Sequence, residues 1–294
     1  MELFASEHAL ESSRERADSV DPERFAAIVD AGRPVLIEGL ARDWPATQTW
    51  TPARLLELSL RSTRVEVPVR ATPRDRLELD IQAVHRGRWP LAEFFGRALL
   101  ANELDELYMA GTTIAGMPGF ADQYQRPALL DRLAPELSGP SLFAGRNTRC
   151  LGHFHARTQA LLVQVQGRKQ VLCFAPRELA SLGLEPAHAE GFHRSRINFH
   201  ALPELHEQLR ARFAAAGSLR AWSCWLEPGD ALFIPLHWLH VPWGPGWSVS
   251  LTWWWQAALR HWTCPSASLR ALVGMASHVV RRRRAGSLGE EGRG

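Results

Sequence analysis

Three histidines and one lysine carry the chemistry this chain can offer. His153 and His155 are separated by one residue, and His237 and His240 follow an apolar run that ends at Pro235. In an extended strand, residues i and i+2 leave the same face, so the first pair would stand side by side. Two imidazoles from one segment and a third from a distant strand form a three-point facial site. Such a site suits a divalent metal and leaves positions open for ligands. Lys169 is the only lysine, and all other basic residues are arginine. An ammonium is a compact point charge where a guanidinium is a planar fork, so a single lysine in such a chain marks a site shaped for the compact cation.

The elements that would position these residues read as mostly β. Leu161 to Gln166 is a strand, Gly167-Arg168 a tight turn, and a second strand starts at Lys169. Glu227-Pro-Gly-Asp is a turn feeding the buried run that ends at Pro235. Upstream, capped helices open at Asp21 and Thr51, each with proline next, and a further helix opens near Trp89. Strands are expected near residues 33–39, Arg64 to Val69 and from Leu107. A short helix is expected near Pro127, a loop over Pro176 to Phe199, and an amphipathic helix over Leu202 to Ala215. Trp222 to Trp255 is again strand-like, and Leu259 to Val280 helical, followed by Arg281 to Arg284 and a tail expected to be disordered. The expected architecture is one β-sandwich or barrel over residues 1–258 with N-terminal helices, then a C-terminal helix and basic tail over 259–294.

Composition sets the remaining bounds. Of the residues, 46% are hydrophobic and 22% charged, as in ordinary globular proteins. The net charge of +3 is smaller than the contribution of Arg281 to Arg284 alone, so no broad basic face for nucleic acid is implied. Four cysteines without a CxxC pair, no signal-like N-terminus and no long apolar run lead to an expected cytoplasmic protein without a membrane span. No phosphate loop, Ser/His/Asp order or zinc-finger spacing occurs. Nine of the twelve tryptophans lie between Trp222 and Trp262, as core or as aromatic walls of a substrate groove.

The motifs GRKQVLCFAP and LEPGDALFIPLHWLHV resemble the cupin-like JmjC group of iron(II)- and 2-oxoglutarate-dependent oxygenases. The opening Arg33-Pro-Val-Leu-Ile-Glu-Gly-Leu with Asp43-Trp-Pro, the segment Leu107-Tyr108-Met and the closing Ser248-Val-Ser-Leu-Thr-Trp-Trp are similar to the same group. The resemblance implies a double-stranded β-helix of cupin or jelly-roll type. It implies His240 as the distal iron ligand, Lys169 as the anchor for the far carboxylate of 2-oxoglutarate, and Tyr108 and Thr252 as cofactor contacts. It also implies hydroxylation of a protein, peptide or small-molecule substrate, and a homodimer through the C-terminal helix.

The proximal ligands depart from that pattern. Counted back from Lys169 without a gap, the family's histidine and acid fall on Phe154 and Ala156. A one-residue shift, requiring a bulge, places His153 and His155 there. No carboxylate occurs between Glu136 and Glu178 to replace the missing acid. A neutral imidazole in its place leaves the centre one charge more positive and also suits zinc, copper or nickel. Three readings follow: an oxygenase, a non-catalytic binding module, and a three-histidine metalloenzyme that uses Lys169 for a substrate carboxylate. Arg146, Arg149 and Arg157 flank the pair, either to bind an acidic substrate or as surface residues. No catalytic residue beyond these is assigned.

Overall fold

The computed structural model describes residues 9–11, 13–62, 65–72, 85–101, 106–200 and 220–291. Its strands are β1 (Ala9–Glu11), β2 (Ser13–Arg16), β3 (Val35–Glu38), β4 (Glu66–Thr72), β5 (His85–Pro90), β6 (Glu106–Thr113), β7 (Ser141–Arg149), β8 (Thr158–Gln166), β9 (Lys169–Phe174), β10 (Ala221–Leu226), β11 (Ala231–Ile234) and β12 (Leu239–Gln256). The α-helices are α1 (Pro22–Ala31), α2 (Pro45–Thr49), α3 (Pro52–Ser59), α4 (Leu91–Leu100) and α5 (Pro265–Glu291). Asp21 caps α1 by accepting from the Arg24 N–H at 2.7 Å, and Thr51 caps α3 by accepting from the Arg54 N–H at 3.2 Å.

Three boundaries differ from the sequence reading, and one expected helix is not described. The helix expected at Trp89 starts at Leu91, because Trp89 and Pro90 pair with β4. The last helix begins at Pro265 after a separate 3₁₀ turn at Leu259–His261, and the arginine run expected in a disordered tail falls inside it. His153 and His155 lie in no strand: β7 ends at Arg149, β8 begins at Thr158, and the pair occupies the connection. The helix expected over Leu202 to Ala215 lies outside the described residues.

Pairing order explains the shape. One wall runs β2-β3-β11-β8-β12-β7-β6-β4-β5, and the other runs β1-β10-β9-β12. The 18-residue β12 belongs to both, pairing with β9 over Leu239 to Trp243 and with β8 over Val249 to Gln256. Two walls sharing a bent strand make a jelly-roll barrel of cupin type, mainly β with few helices.

Side-chain alternation then sorts residues into three layers. Along β12, Val249, Leu251, Trp253 and Trp255 point outward into a core roofed by α1 to α4 through Phe25, Trp50, Leu55, Phe94 and Phe95. Each such fully buried side chain contributes about 1.5–3 kcal/mol. The intervening Ser248, Ser250 and Thr252 point inward and are also buried. The rest of the barrel interior mixes apolar side chains, among them Leu162, Val171, Cys173, Leu226, Leu232 and Ile234, with the buried Gln164 and Lys169. Outside the second wall, Leu172, Phe174, Leu239 and Val241 pack against Phe192, Phe199 and the start of α5.

β8 and β9 are consecutive but do not pair, because the turn at Gly167-Arg168 is a corner that carries the chain from one wall to the other. Gly167 has φ +63°, and a Cβ there would sit 1.8 Å from the Trp247 carbonyl oxygen. Only glycine satisfies both conditions. Gly32, the C-cap of α1, also has φ +63°, but a Cβ there would meet nothing within 4 Å. Gly32→Ala should therefore cost about 1–2 kcal/mol, the usual left-handed penalty. Gly167→Ala should cost more than about 3 kcal/mol or prevent folding. Urea denaturation of the two variants checks this, and equal losses would show that the corner tolerates a side chain.

Candidate functional site

The connection between β7 and β8 is held against the start of β12 by a reciprocal pair of backbone hydrogen bonds. His153 N–H donates to the His240 carbonyl at 3.1 Å, and His240 N–H donates to the His153 carbonyl at 2.8 Å. This isolated bridge replaces the strand and bulge expected from sequence. It also sets the chain direction so that Phe154 turns outward, buried against Phe192, while His153 and His155 turn inward.

His153, His155 and His240 each offer a ring nitrogen, and these atoms lie within 4.8 Å of one another. Ring centroids are 4.3 Å apart for His153 and His240 and 4.5 Å for His155 and His240. His153 Nδ1 lies 2.9 Å from the Leu151 carbonyl, and His240 Nδ1 lies 3.1 Å from the Trp238 carbonyl. Each Nδ1–H can only donate there, which leaves Nε2 as a lone-pair donor. His155 is buried, with both ring nitrogens lacking any hydrogen-bond partner and its ring 4.5 Å from Trp254. A buried orphaned imidazole is costly unless something else takes its lone pair, and a metal ion fits that need.

Burial holds all three imidazoles below the ordinary histidine range. For His155 the neighbouring His240 and His153 add to the effect, and for His240 the neighbouring His153 does. For His153 the Leu151 carbonyl opposes burial, while Arg194 and Arg70 reinforce it. The neutral form is the metal-binding form. His237 stands apart despite its proximity in sequence. It adopts φ +63°, donates from Nε2 to the Ala156 carbonyl at 3.2 Å, and packs on Trp262.

Lys169 is 4% exposed and donates to Ser250 Oγ. Ser250 Oγ in turn donates to Gln164 Oε1 at 2.7 Å, and the Gln164 amide is spent on the Gln166 and Gly167 carbonyls and Ser248 Oγ. Among the described residues no carboxylate lies within ion-pair distance of the ammonium, and burial brings its pKa down from 10.5 to about 8. Lys169 shares the inward face of β9 with Cys173, which pairs with His240. The two are four positions apart, about 13 Å along a strand. A lysine stem and a small dicarboxylate together span such a gap.

Thr252 faces the same interior with a buried Oγ1 that has no partner. Tyr108 is buried at the far side on β6, stacked on Phe143, with the Cys150 thiol 3.5 Å from its hydroxyl and the Arg70 guanidinium 4.8 Å above its ring. Burial first, then Cys150, raises the Tyr108 phenol well above its usual range. A cavity of about 500 Å³ opens beside His153, lined by Tyr108, Phe143, Arg70, Cys150, His193 and Arg194 among others. Among the described residues no tryptophan lines it, so the expected tryptophan-walled groove is not this cavity; Trp253 and Trp255 are core and Trp254 touches His155.

Of the flanking arginines, Arg146 lies on the outward side of β7, Arg149 stands at its inward end with its carbonyl accepting from Arg70, and Arg157 is exposed. Sequence reasoning missed Arg70, Gln164, Ser250 and Arg194. The alternating Ser248, Ser250 and Thr252 on an otherwise apolar strand was a readable signal for an inward polar stripe. Arg194, well downstream of the histidine pair and in a loop, left none.

Fold and site together define a cupin barrel whose mouth gathers three imidazoles. The chain belongs to the family of the cupin-like domain, whose model matches residues 22–261. It is 24% identical over 258 residues to a plant protein named lysine-specific demethylase JMJ31, from Arabidopsis thaliana, covering 76% of this chain and 46% of that one. It is also 27% and 28% identical to tRNA wybutosine-synthesizing protein 5 of Gallus gallus and Danio rerio, covering 81% and 75% of this chain and 76% and 68% of theirs. The chain thus spans about half the length of the plant relative. Among the described residues, no helix is long and apolar enough to cross a membrane.

Two outcomes test this geometry. Zinc titration of metal-stripped protein should show one tight site. His155→Ala should weaken it by more than the roughly 10–100-fold typical of losing a supporting contact, while His237→Ala keeps it. Undiminished uptake by His155→Ala would remove His155 from the ligand set. Separately, lowering a lysine from 10.5 to about 8 means the ligand-free fold bears an unfavourable charge at neutral pH. Lys169→Met should then raise stability at pH 7 by on the order of 3 kcal/mol. That gain should shrink as pH rises from about 8 towards 10.5, where wild-type Lys169 folds neutral. A less stable variant at pH 7 would mean that Ser250 compensates the charge.

Proposed function

We propose that the chain is a metal- and 2-oxoglutarate-dependent oxygenase that hydroxylates a protein or peptide side chain or a small molecule. The observation that carries this reading is Lys169, a buried ammonium with no carboxylate partner among the described residues, facing the same interior as three convergent imidazoles. A buried cation of this kind is stable chiefly when a ligand supplies the anion. His153, His155 and His240 would hold iron(II). Lys169 would take the far carboxylate of 2-oxoglutarate, Ser250 and Thr252 would offer hydroxyls beside it, and Tyr108 would close the opposite side. When bound, metal and cosubstrate supply the oxidising chemistry, with dioxygen consumed, 2-oxoglutarate converted to succinate and carbon dioxide, and one oxygen atom delivered to a C–H bond.

The chain's own part is to bind, orient and keep water out. The Leu151 and Trp238 carbonyls fix two ring tautomers. The Ser250–Gln164 chain orients the ammonium, and the apolar residues around it exclude solvent. The named relatives are demethylase and tRNA-modifying proteins, so a protein or nucleic-acid-borne substrate is within the family's compass. We also place the protein in the cytoplasm, and read the exposed Leu269, Leu272 and Val273 of α5 as the face of a homodimer.

A second reading is favoured by the all-histidine ligand set. It is a three-histidine metalloenzyme that binds no 2-oxoglutarate and uses Lys169 for a substrate carboxylate. Anaerobic addition of iron(II) and then 2-oxoglutarate separates the two. The oxygenase reading expects a visible charge-transfer band requiring both, uncoupled succinate formation in air, and loss of each in Lys169→Ala. It also sets a pH dependence. The ammonium form of Lys169 is the binding form, so 2-oxoglutarate affinity should fall as pH rises through about 8 in a way that Lys169→Ala does not share. Metal uptake without the band would establish the second reading.

A further inference from the structure

Arg194 is placed for a purpose that the metal and cosubstrate leave unused. It stands at the mouth of the cavity beside His153, exposed, and among the described residues its side chain has no hydrogen bond or ion pair. Its backbone is far from loose. Phe154 N–H donates to the His193 carbonyl at 3.0 Å, Ser195 N–H donates to the Gly152 carbonyl at 2.7 Å, and His153 and Arg194 form a bridge. The loop that carries Arg194 is therefore stitched to the loop that carries two candidate metal ligands. Arg70, the other guanidinium of the cavity, is already committed to Glu106 at 3.2 Å and to the Arg149 carbonyl.

The nearest acidic neighbour of Arg194 on its own loop is Glu185, whose N–H donates to the Arg194 carbonyl at 2.9 Å, and among the described residues the two side chains form no ion pair. Among the described residues no carboxylate lines the cavity, and the sequence has none between Glu136 and Glu178. Three neutral imidazoles bring no anion to a metal either. Phe143 lines the same cavity as Arg194, its ring 6.5 Å from Tyr108 at 24°, while the Arg70 guanidinium lies 4.8 Å over the Tyr108 ring.

We propose that the substrate is an organic oxyanion with a flat apolar body. Its carboxylate pairs with the Arg194 fork, and its body lies against Phe143 beside His153. The word substrate rests on the oxygenase reading; the binding claim does not. A single free guanidinium matches one bidentate carboxylate, and about 500 Å³ suits a small molecule or one side chain. A cationic lysine side chain, the group in the plant relative's name, would meet like charge here.

The test uses four probes with one body: phenylacetate, phenyl phosphate, phenylacetamide and phenethylamine. Each is titrated by ligand-observed NMR into zinc-loaded full-length protein, with and without saturating 2-oxoglutarate. Phenylacetate should bind at least about tenfold more tightly than phenylacetamide, with phenethylamine weakest. Arg194→Gln should erase the difference, Arg194→Lys should restore part of it, and Arg157→Gln should leave it unchanged. A further Arg194-dependent gain for phenyl phosphate would support the site and assign its oxyanion as phosphate. A preference that survives Arg194→Gln, or amide binding as tight as carboxylate, overturns the proposal. Loss of phenylacetate binding on saturation with 2-oxoglutarate overturns it too, because the anion would then have occupied the Lys169 site. If 2-oxoglutarate fails to bind while the Arg194-dependent preference persists, the oxygenase reading falls and the anion site stands.

Discussion

Two backbone hydrogen bonds between His153 and His240 hold this site together. They join a loop to the first residues of β12 and so bring imidazoles that are far apart in sequence to one point. Because the pairing uses main chain, it fixes the direction of the loop independently of any metal. With that direction fixed, the residue between the two histidines must face outward, and Phe154 anchors there in the second core. The same loop then offers its Gly152 carbonyl to Ser195 and the Phe154 N–H to His193, which carries Arg194 into position. One local pairing thus determines the imidazole cluster, its outer anchor and the cationic rim.

Electrostatics gives the interior its second character. A buried ammonium, three imidazoles kept neutral by burial, and a rim with guanidinium groups leave the barrel short of negative charge. Burying an unpaired charge is expensive, and among the described residues the fold bears that cost with only a serine hydroxyl as partner. Such an arrangement is reasonable where anions arrive as ligands. The convergent cluster of His153, His155 and His240 contains no carboxylate to relieve that deficit. The apolar roof of α1 to α4 makes the arrangement tolerable, since its large outer core supplies stability that the polar interior does not.

The shared strand β12 divides these tasks by parity. Its odd residues from Val249 to Trp255 build the outer core, and Ser248, Ser250 and Thr252 face the chamber. Its first residues, in the other wall, supply His240. The corner at Gly167 lets β8 and β9 serve opposite walls, which puts Gln164 and Lys169 within reach of the same serine.

Much of this was legible in the residues alone. The i,i+2 histidine pair, the lone lysine after a glycine turn and the PGD-led strand before His240 all depend on local chemistry, and local spacing records it. Capped helices at Asp21 and Thr51 were readable for the same reason. The tertiary structure decided what depends on pairing between distant segments. It placed His153 and His155 in a bridged loop and not a bulged strand, turned His237 away from the cluster that His240 joins, and put β8 and β9 in different walls. It also brought Arg70 and Arg194 to one mouth. None of these follows from periodicity, because each is set by which backbone groups find partners across the barrel, and sequence spacing carries no record of that choice.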